Sequence, residues 1–366
     1  MEHNLKKLRQ QMEQVNMELL HLLNERTQLI QEIGLIQEEI NIECFDPLYE
    51  SKMFETLFAH NRGPLSNEMV KEVFTSIFAS AHRQMGLERG KELLIASEPQ
   101  DPFLSVQQIF KIGPEIPFLI AGPCAVERAD YLESIAGFLR RNHLKFLRGG
   151  AFKPRTSPYE FQGLGEAGLK ILHDVGAKYN LYTITEIVDP RDIEIASNYV
   201  DIFQIGARNM QNYELLKEVG QTKRPVVLKR GLSATIQEWM FAAEYIGLQG
   251  NRKIILCERG IRTFETKTRN TLDISSIAII KKETRLPVIV DLSHSLGRKD
   301  IIVPLAKAAL AVGADGLMVE VHPYPELALS DSKQQLNPGE FQVLLDNVYN
   351  IRVQEKANFN CIKEFT

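Results

Sequence analysis

Residues 288–322 have the sequence VIVDLSHSLGRKDIIVPLAKAALAVGADGLMVEVH. Two short runs rich in branched apolar residues, Val288–Asp291 and Gly316–Val319, enclose an amphipathic helical stretch. This order is typical of two parallel strands joined by a helix. The first run is followed by His294 and the second by Glu320, so both predicted strands end in polar groups.

The same strand-then-helix pattern recurs along most of the chain. The β-rich runs are Phe118–Ala121, Lys145–Arg148, Leu181–Thr185, Ile202–Ile205, Val226–Lys229, Ile254–Cys257, Val288–Asp291 and Gly316–Val319. Eight such units in about 250 residues predict a (β/α)8 TIM barrel. A doubly wound open sheet is the alternative, but it does not need eight repeats. In addition, Ala121-Gly122-Pro123-Cys124 lacks the glycine-rich fingerprint of a dinucleotide site.

The sequence before residue 90 has a different, all-helical pattern. From Leu5 to Ile40 apolar residues recur at alternating steps of three and four, which predicts a long helix packed along a seam against another helix. Arg26 is the polar break in this seam. Two further helices are predicted, one capped by Asp46 and one by Ser66. We therefore predict a helical domain at 1–90, a linker at 91–114 and a barrel at 115–366.

The composition excludes several classes of protein. The 366 residues include 43 Lys and Arg against 47 Asp and Glu, a net charge of -4, which gives no electrostatic reason to expect nucleic acid or an anionic membrane as a partner. No apolar run is long enough to span a bilayer, and the first residues do not resemble a secretory signal. With 4 cysteines, too few for a disulfide scaffold, we expect a cytoplasmic protein with reduced thiols.

Every predicted strand ends in charged or coordinating side chains. Active sites of such barrels lie at the carboxyl ends of the strands, so these groups are expected to meet at one rim. The cations among them are Arg148, Lys153, Arg155, Arg208, Lys229 and Arg259. A surface ion pair would explain any one of them, but together they exceed what one phosphate needs. We predict a site for two or more anionic groups.

A thiol, an imidazole and two carboxylates at the same rim predict a metal centre. Cys124, His294 and Glu320 close the first, seventh and eighth strands, and Asp331 in the next loop completes the set. This set suits a borderline divalent metal with an open position. The alternative is that Cys124 and His294 are ordinary core residues. A metal beside anion sites predicts Lewis-acid activation of a carbonyl in aldol-type or phosphoryl-linked carbon chemistry.

Six motifs resemble those of type I beta 3-deoxy-D-arabino-heptulosonate 7-phosphate (DAHP) synthases. They are Gly122-Pro123-Cys124-Ala125-Val126-Glu127, the run 148–157 (RGGAFKPRTS), Gly206-Ala207-Arg208-Asn209, Leu228-Lys229-Arg230-Gly231, the run 291–295 (DLSHS) and Glu320-Val321-His322-Pro323. The resemblance implies condensation of phosphoenolpyruvate with erythrose 4-phosphate and water, the first step of the shikimate pathway. It implies that a metal polarises the aldehyde, C3 of phosphoenolpyruvate attacks it, water adds at C2, and phosphate leaves with C–O cleavage.

The resemblance also implies a role for each rim residue. The divalent metal, Mn²⁺ or else Fe²⁺, Co²⁺ or Zn²⁺, would be held by Cys124, His294, Glu320 and Asp331. Phosphoenolpyruvate would be held by Arg148, Lys153, Ala207, Arg208, Lys229 and Arg259. Erythrose 4-phosphate would be held by Pro154, Arg155 and Thr156. Lys153 would also transfer a proton, and Glu186 would order the attacking water. The alternative family is that of the octulosonate phosphate synthases, which take arabinose phosphate and differ at the run 153–156.

The first 90 residues resemble an AroQ-type chorismate mutase domain. The matching positions are Arg9, Arg26, Asp46, Ser80 and Gln84. Gln37 stands where that family has a catalytic Lys, and Tyr49 where it has an Arg, so stabilisation of the transition state is reduced. We predict weak or no mutase activity, binding of chorismate or prephenate as feedback effector, and a homo-oligomer, a dimer through these helices and a tetramer overall. A fully bifunctional enzyme and a merely dimerising helix pair are the alternatives.

Overall fold

The computed structural model describes residues 2–39, 47–84, 93–96, 102–113, 118–155 and 157–348. The chain divides into two compact units, Met1–Glu92 and Leu93–Thr366. The first unit contains three helices, α1 (Glu2–Glu39), α2 (Pro47–His60) and α3 (Asn67–Gln84). The three-helix, chorismate mutase-like character predicted for this unit is confirmed.

Helix α1 carries its apolar stripe on the surface of the single chain. Met12 is 62% exposed, and Leu8 and Leu22 are exposed to a similar extent. In α3 the predicted Ser66 cap is present, since its Oγ accepts a hydrogen bond from the Met69 amide at 3.3 Å. The predicted Asp46 cap lies outside the described residues. Among the helices that the structure describes, none is long and apolar enough to cross a membrane.

The second unit is a closed barrel of eight parallel strands in sequential order, which confirms the predicted TIM barrel. The strands are β1 (Phe118–Gly122), β2 (Phe146–Arg148), β3 (Tyr182–Ile187), β4 (Ile202–Ile205), β5 (Val226–Lys229), β6 (Ile254–Glu258), β7 (Val288–Asp291) and β8 (Gly316–Glu320). The helices of this unit are α4 (Val106–Phe110), α5 (Ala129–Arg141), α6 (Glu166–Tyr179), α7 (Ile193–Ser197), α8 (Tyr213–Gln221), α9 (Ile236–Leu248), α10 (Ile274–Glu283), α11 (Leu292–Leu296), α12 (Ile302–Ala311) and a last helix at 338–348.

The barrel has two apolar layers because successive strand residues point to opposite faces. Residues on the outward face pack beneath the helices, and those on the inward face fill the barrel. The end opposite the carboxyl ends of the strands is closed by α4. Its Phe110 ring lies 5.4 Å from the ring of Phe118 and 4.7 Å from that of Phe146. The interior is therefore solid below the rim.

Candidate active site

The inward register of the strands explains which rim residues meet. Inside the barrel, apolar side chains occupy every second position, such as Met318 in β8 and Ile289 in β7. Two residues further on, the same register delivers Glu320 and Asp291 at the rim. The same step places Arg148, Glu186, Lys229 and Arg259 on the inward register of β2, β3, β5 and β6. The inward-facing positions of the strands are therefore apolar inside the barrel and polar at its rim, where they form the bottom of the site.

The four predicted metal ligands lie together where β1 meets β8. The sulfur of Cys124 and the nearest carboxylate oxygens of Glu320 and Asp331 lie within 4.8 Å of one another. His294 Nε2 is 3.6 Å from Glu320 Oε1 and 3.5 Å from Asp331 Oδ2. One soft sulfur, one imidazole nitrogen and two carboxylate oxygens form a donor set that fits a borderline divalent metal.

Asp291 fixes the orientation of His294. Its Oδ2 is 2.8 Å from His294 Nδ1, and its Oδ1 accepts a hydrogen bond from the His294 amide at 3.0 Å. Lys229 Nζ donates to the same carboxylate. His294 Nε2, on the other side of the ring, faces Glu320 and Asp331, an order that matches carboxylate–histidine–metal arrangements. The sequence motif included Asp291, but no role was predicted for it.

Glu320 is held from two sides. Arg148 donates to its Oε1 at 2.7 Å, and the amide of Gln334 donates to its Oε2 at 2.6 Å. Burial by itself raises the pKa of Glu320, but interactions with His294 and with the positive charge of Arg148 overcome this and hold the pKa at about 2. The carboxylate is therefore ionised at neutral pH although it is fully buried.

Cys124 differs from the carboxylates in its protonation. Burial raises the pKa of its thiol to about 12, with the charge of Glu320 adding to the rise and that of Lys153 opposing it. Lys153 Nζ lies 3.1 Å from the sulfur and 3.2 Å from the Cys124 carbonyl oxygen. A metal would have to displace the thiol proton in order to bind here. The other described cysteine, Cys257, packs in the apolar interior of the barrel.

A cleft of about 370 Å³ opens beside the ligand cluster. Its lining includes the predicted substrate residues Lys153, Pro154, Arg155, Glu186, Ala207, Arg208, Lys229 and Arg259, together with His294 and Asp331. Sequence reasoning missed Arg262, Arg269 and Asn270, which also line it. Of the remaining predicted residues, Arg148 lies against Glu320 and does not line the cleft, and Thr156 lies outside the described residues.

Several cations of the cleft lack an acidic partner among the described residues. Arg208 and Arg262 make no ion pair there, and Arg259 donates only to the main-chain oxygens of Gly260 and His294. Burial lowers the pKa of Arg259 below its ordinary value, as expected for a cation whose charge is incompletely compensated. The cleft therefore carries positive charge that the described acidic residues do not compensate, and it should bind anions.

Glu186 also lines the cleft, close to Gly206. A Cβ atom at position 206 would lie 1.9 Å from Glu186 Oε1, so any other residue there would displace this carboxylate from its present position. Gln204 donates to the other oxygen, Oε2, at 3.4 Å. The glycine of the Gly206-Ala207-Arg208-Asn209 motif thus leaves space for the Glu186 carboxylate on the neighbouring strand β3.

In the N-terminal unit the structure describes two of the predicted effector ligands. The Arg26 guanidinium lies over the Phe78 ring, 5.1 Å from its centroid, and Arg9 is exposed. Asp46 lies outside the described residues, as do the side chains of Gln37, Tyr49, Ser80 and Gln84. Arg9 and Arg26 are 17 residues apart on α1, which corresponds to about 25 Å along a helix axis. The two arginines of one chain do not face a common small ligand.

Two family models match the chain. The DAHP synthetase I family matches residues 101–355, and chorismate mutase type II matches residues 8–85. The match to the second family coincides with the three-helix unit, and the match to the first covers the barrel.

Individual relatives show the same relationship. A phospho-2-dehydro-3-deoxyheptonate aldolase from Thermotoga maritima is 53% identical over 250 residues, 68% of this chain and 74% of the relative. A 2-dehydro-3-deoxyphosphooctonate aldolase from Nitrosococcus oceani is 32% identical over 263 residues, 66% of this chain and 92% of that one. A crystal structure of the Thermotoga maritima DAHP synthase matches with a TM-score of 0.62 and 54% identity, over 64% of this chain and 68% of that chain.

Proposed function

The chain belongs to the DAHP synthetase I family, and from this premise we propose how its barrel condenses phosphoenolpyruvate with erythrose 4-phosphate. It is a DAHP synthase with a chorismate mutase-like domain at its N-terminus. The condensation joins C3 of phosphoenolpyruvate to the aldehyde carbon, adds water at C2 and releases inorganic phosphate. The observation that carries the proposal is the cluster of four ligands at the wall of a cation-lined cleft.

The metal would be held by Cys124, His294, Glu320 and Asp331. Mn²⁺, Fe²⁺, Co²⁺ and Zn²⁺ all accept this combination of donors. When bound, such an ion supplies Lewis-acid polarisation of the substrate aldehyde. The two ionised carboxylates offset the cost of placing a divalent cation in a buried site.

Phosphoenolpyruvate would occupy the deep part of the cleft. We assign its phosphate to Arg208, Lys229, Arg259 and the Ala207 amide, and its carboxylate to Arg148 and Lys153. Arg208 and Arg259 have no acidic partner among the described residues and can pair fully with an anion. Lys229 lines the cleft and already neutralises Asp291, so it would share its charge between protein and substrate. Arg148 is paired with Glu320 outside the cleft lining and would have to turn toward the substrate carboxylate.

Erythrose 4-phosphate would lie nearer the mouth of the cleft, with its phosphate held by Arg155 and Thr156 and with Pro154 beside it. Arg155 donates through Nε to the Phe161 carbonyl oxygen at 3.1 Å, which leaves its terminal nitrogens for phosphate. The run 153–156 (KPRT) distinguishes this site from that of the octulosonate synthases. The greater identity to the heptulosonate enzyme, 53% against 32%, supports the four-carbon aldose as substrate.

Two residues would take part in the proton transfers of the reaction. Glu186 presents a carboxylate at the cleft wall and would orient the water that adds to C2. Lys153 is buried between the Cys124 sulfur and the cleft and would supply or accept a proton there. Both groups line the cleft in which the substrates would meet.

The proposal is tested by incubating the protein with phosphoenolpyruvate that carries ¹⁸O in the C–O–P bridge. With erythrose 4-phosphate we expect DAHP by mass spectrometry and the label in the released phosphate, because the C–O bond breaks. Label retained at C2 of the product would refute the C–O cleavage. Faster turnover with arabinose 5-phosphate would refute the assigned substrate.

Metal dependence is tested with two cysteine variants. After chelation and add-back, Cys124→Ala should bind the metal more weakly and lose activity, whereas Cys257→Ala should keep both because that thiol packs inside the barrel. Full activity of the parent protein after complete metal removal would overturn the ligand assignment.

For the N-terminal unit, we propose an effector-binding module with weak or no mutase activity. Its exposed seam on α1 and the separation of Arg9 from Arg26 support pairing with a second copy, in which arginines from two chains approach one dicarboxylate. Binding of chorismate or prephenate at this unit would then lower the activity of the synthase as feedback inhibition. The proposed oligomer is a dimer through these helices, assembled into a tetramer.

This assignment is tested by following chorismate disappearance and, separately, the synthase rate during prephenate titration. Inhibition without appreciable chorismate turnover supports the module. Turnover at ordinary enzyme rates would instead establish a bifunctional enzyme, and neither binding nor inhibition would leave dimerisation alone.

The remaining proposals concern domain limits and cellular location. We propose a helical domain at 1–90, a linker at 91–114 and a barrel domain at 115–366. A metal ligand at Cys124 must be a reduced thiol, which supports a location in the cytoplasm.

A further inference from the structure

Arg269 and Gln334 form a connected pair behind the ligand cluster. Arg269 lies in the loop between β6 and α10, and Gln334 lies after β8. One guanidinium nitrogen of Arg269 donates to Gln334 Oε1 and lies 3.3 Å from Asp331 Oδ1. The Gln334 amide nitrogen in turn donates to Glu320 Oε2 at 2.6 Å.

These contacts hold one oxygen of each ligand carboxylate and leave the other facing the cluster. Asp331 Oδ1 is directed at Arg269, while its Oδ2 lies 3.5 Å from His294 Nε2. Glu320 Oε2 is directed at Gln334, while its Oε1 lies 3.6 Å from the same nitrogen. A single guanidinium nitrogen therefore holds both carboxylates, one directly and one through an amide.

The backbone of Asp331 is left-handed, with a φ of 50°, a conformation that is uncommon for residues with a Cβ although Asp adopts it more readily than most. The charge of Arg269 and the hydrogen bonds around it oppose relaxation of this backbone.

Arg269 is itself anchored to the segment that carries His294. Its amide donates to the Leu296 carbonyl oxygen at 2.9 Å, and a Cβ atom at Gly297 would lie 2.6 Å from the Arg269 Cβ. Gly297 has a φ of 65°, which closes α11 beneath this contact. The pair thus connects the β6–α10 loop with α11, which carries His294, and with the segment after β8, which carries Asp331.

We propose that Arg269 and Gln334 are positioning residues that pre-orient the Glu320 and Asp331 carboxylates and thereby set the affinity of the site for its metal. This inference rests on the proposed metal centre. Partners of ligating groups elsewhere commonly contribute about 10- to 100-fold to metal affinity.

The test measures binding of Co²⁺ to the metal-free full-length protein by competition with a chromophoric chelator, together with the thiolate-to-cobalt absorption from Cys124. We expect Gln334→Ala and Arg269→Met each to weaken binding about 10- to 100-fold and to change the absorption band. Because the two residues act along one path, the double variant should lose less than the product of the single losses. Arg269→Lys should restore part of the affinity.

Arg191→Met is the matched control, because the Arg191 side chain is 88% exposed and pairs with Asp189, and it lines neither the cleft nor the ligand cluster. It should bind Co²⁺ as the parent does. Thermal unfolding in excess chelator identifies variants that fail to fold. If Gln334→Ala fails to fold, Arg269→Met still tests the proposal, because the Arg269 side chain is partly exposed and its replacement should be tolerated. Binding within twofold of the parent in both single variants would overturn the inference. A parent protein that binds no Co²⁺ would overturn the metal centre itself.

Discussion

Replacing Asp291 by Asn removes the charge on which two functional residues depend. The carboxylate accepts from Lys229 Nζ, lies 2.8 Å from His294 Nδ1 and accepts from the His294 amide. An Asn oxygen can retain only one of these acceptor positions. If it keeps the cap on the His294 amide, its NH₂ group faces two further donors. We expect His294 to change tautomer, which places a proton on the Nε2 that should ligate the metal.

The expected magnitude has two parts. Breaking one partner of a buried ion pair costs about 3–5 kcal/mol, because the remaining charge stays buried. Lys229 and Asp291 have side chains 5% and 0% exposed, so solvent offers no compensation. Loss of the His294 orientation should in addition weaken metal binding about 10- to 100-fold.

The way in which the stability difference between parent and Asp291→Asn changes with pH provides a second, independent test. Burial by itself raises the pKa of Asp291, but interactions with His294 and with the charge of Lys229 hold it well below its ordinary value. A depressed pKa contributes stability above the unfolded pKa of about 3.9 and loses it as the pH falls further. The stability difference between parent and Asp291→Asn should therefore be full at pH 7 and shrink below about pH 4.

Urea denaturation at several pH values and chelator competition measure these quantities. Asp300→Asn is the control, since Asp300 forms an exposed pair with Arg298, and its stability should stay close to that of the parent. A loss below about 1 kcal/mol at pH 7, typical of exposed pairs, with unchanged metal affinity would refute the reasoning.

Three further predictions follow from the site and from α1. Since the Cys124 thiol has a pKa of about 12, metal binding must release its proton, and this group should make the metal affinity rise about tenfold per pH unit. Isothermal titration at several pH values should show that the slope of log affinity against pH is reduced by one proton in Cys124→Ala but not in Cys257→Ala. Gly206→Ala places a Cβ atom 1.9 Å from Glu186 Oε1 and should lower kcat about 100-fold or more in a phosphate-release assay. Met12→Asp should shift the mass in analytical ultracentrifugation to a smaller assembly, because Met12 is 62% exposed in the single chain.

Each of these predictions can be contradicted. Equal proton release from the two cysteine variants would remove Cys124 from the ligand set. An unchanged kcat in Gly206→Ala would remove Glu186 from the reaction. An assembly unaffected by Met12→Asp would place the oligomer contact elsewhere than on the seam of α1.

The barrel and most of its rim were predictable because both follow from one local rule. Alternation within a strand decides that Arg259 faces the cleft while its neighbour Glu258 is buried in a structural pair with Arg230. The same rule would have assigned Asp291 to the site, because it lies two residues beyond the inward-facing Ile289. The eight strands were placed within one or two residues for the same reason.

The support behind the ligands could not be predicted in this way. Arg269 and Gln334 lie in loops without periodicity, 65 residues apart in sequence, and they meet only through the path of the folded chain. Nor does a resemblance of motifs show that Arg148 is paired with Glu320 and lies outside the cleft lining. Partners of functional groups depend on tertiary placement, whereas strand residues depend on local pattern.

The pairing of Gly122 in β1 with Glu320 in β8 joins the first and last strands of the barrel. Cys124 and Glu320 are almost two hundred residues apart in sequence, so a chain emerging from the ribosome gains Glu320 only when the eighth strand has been made. Domains fold as units, and pairings this distant in sequence form slowly. A nascent or truncated barrel therefore cannot bring the four proposed ligands together, and any metal bound by all four would be captured only after β8 and the following loop have been made.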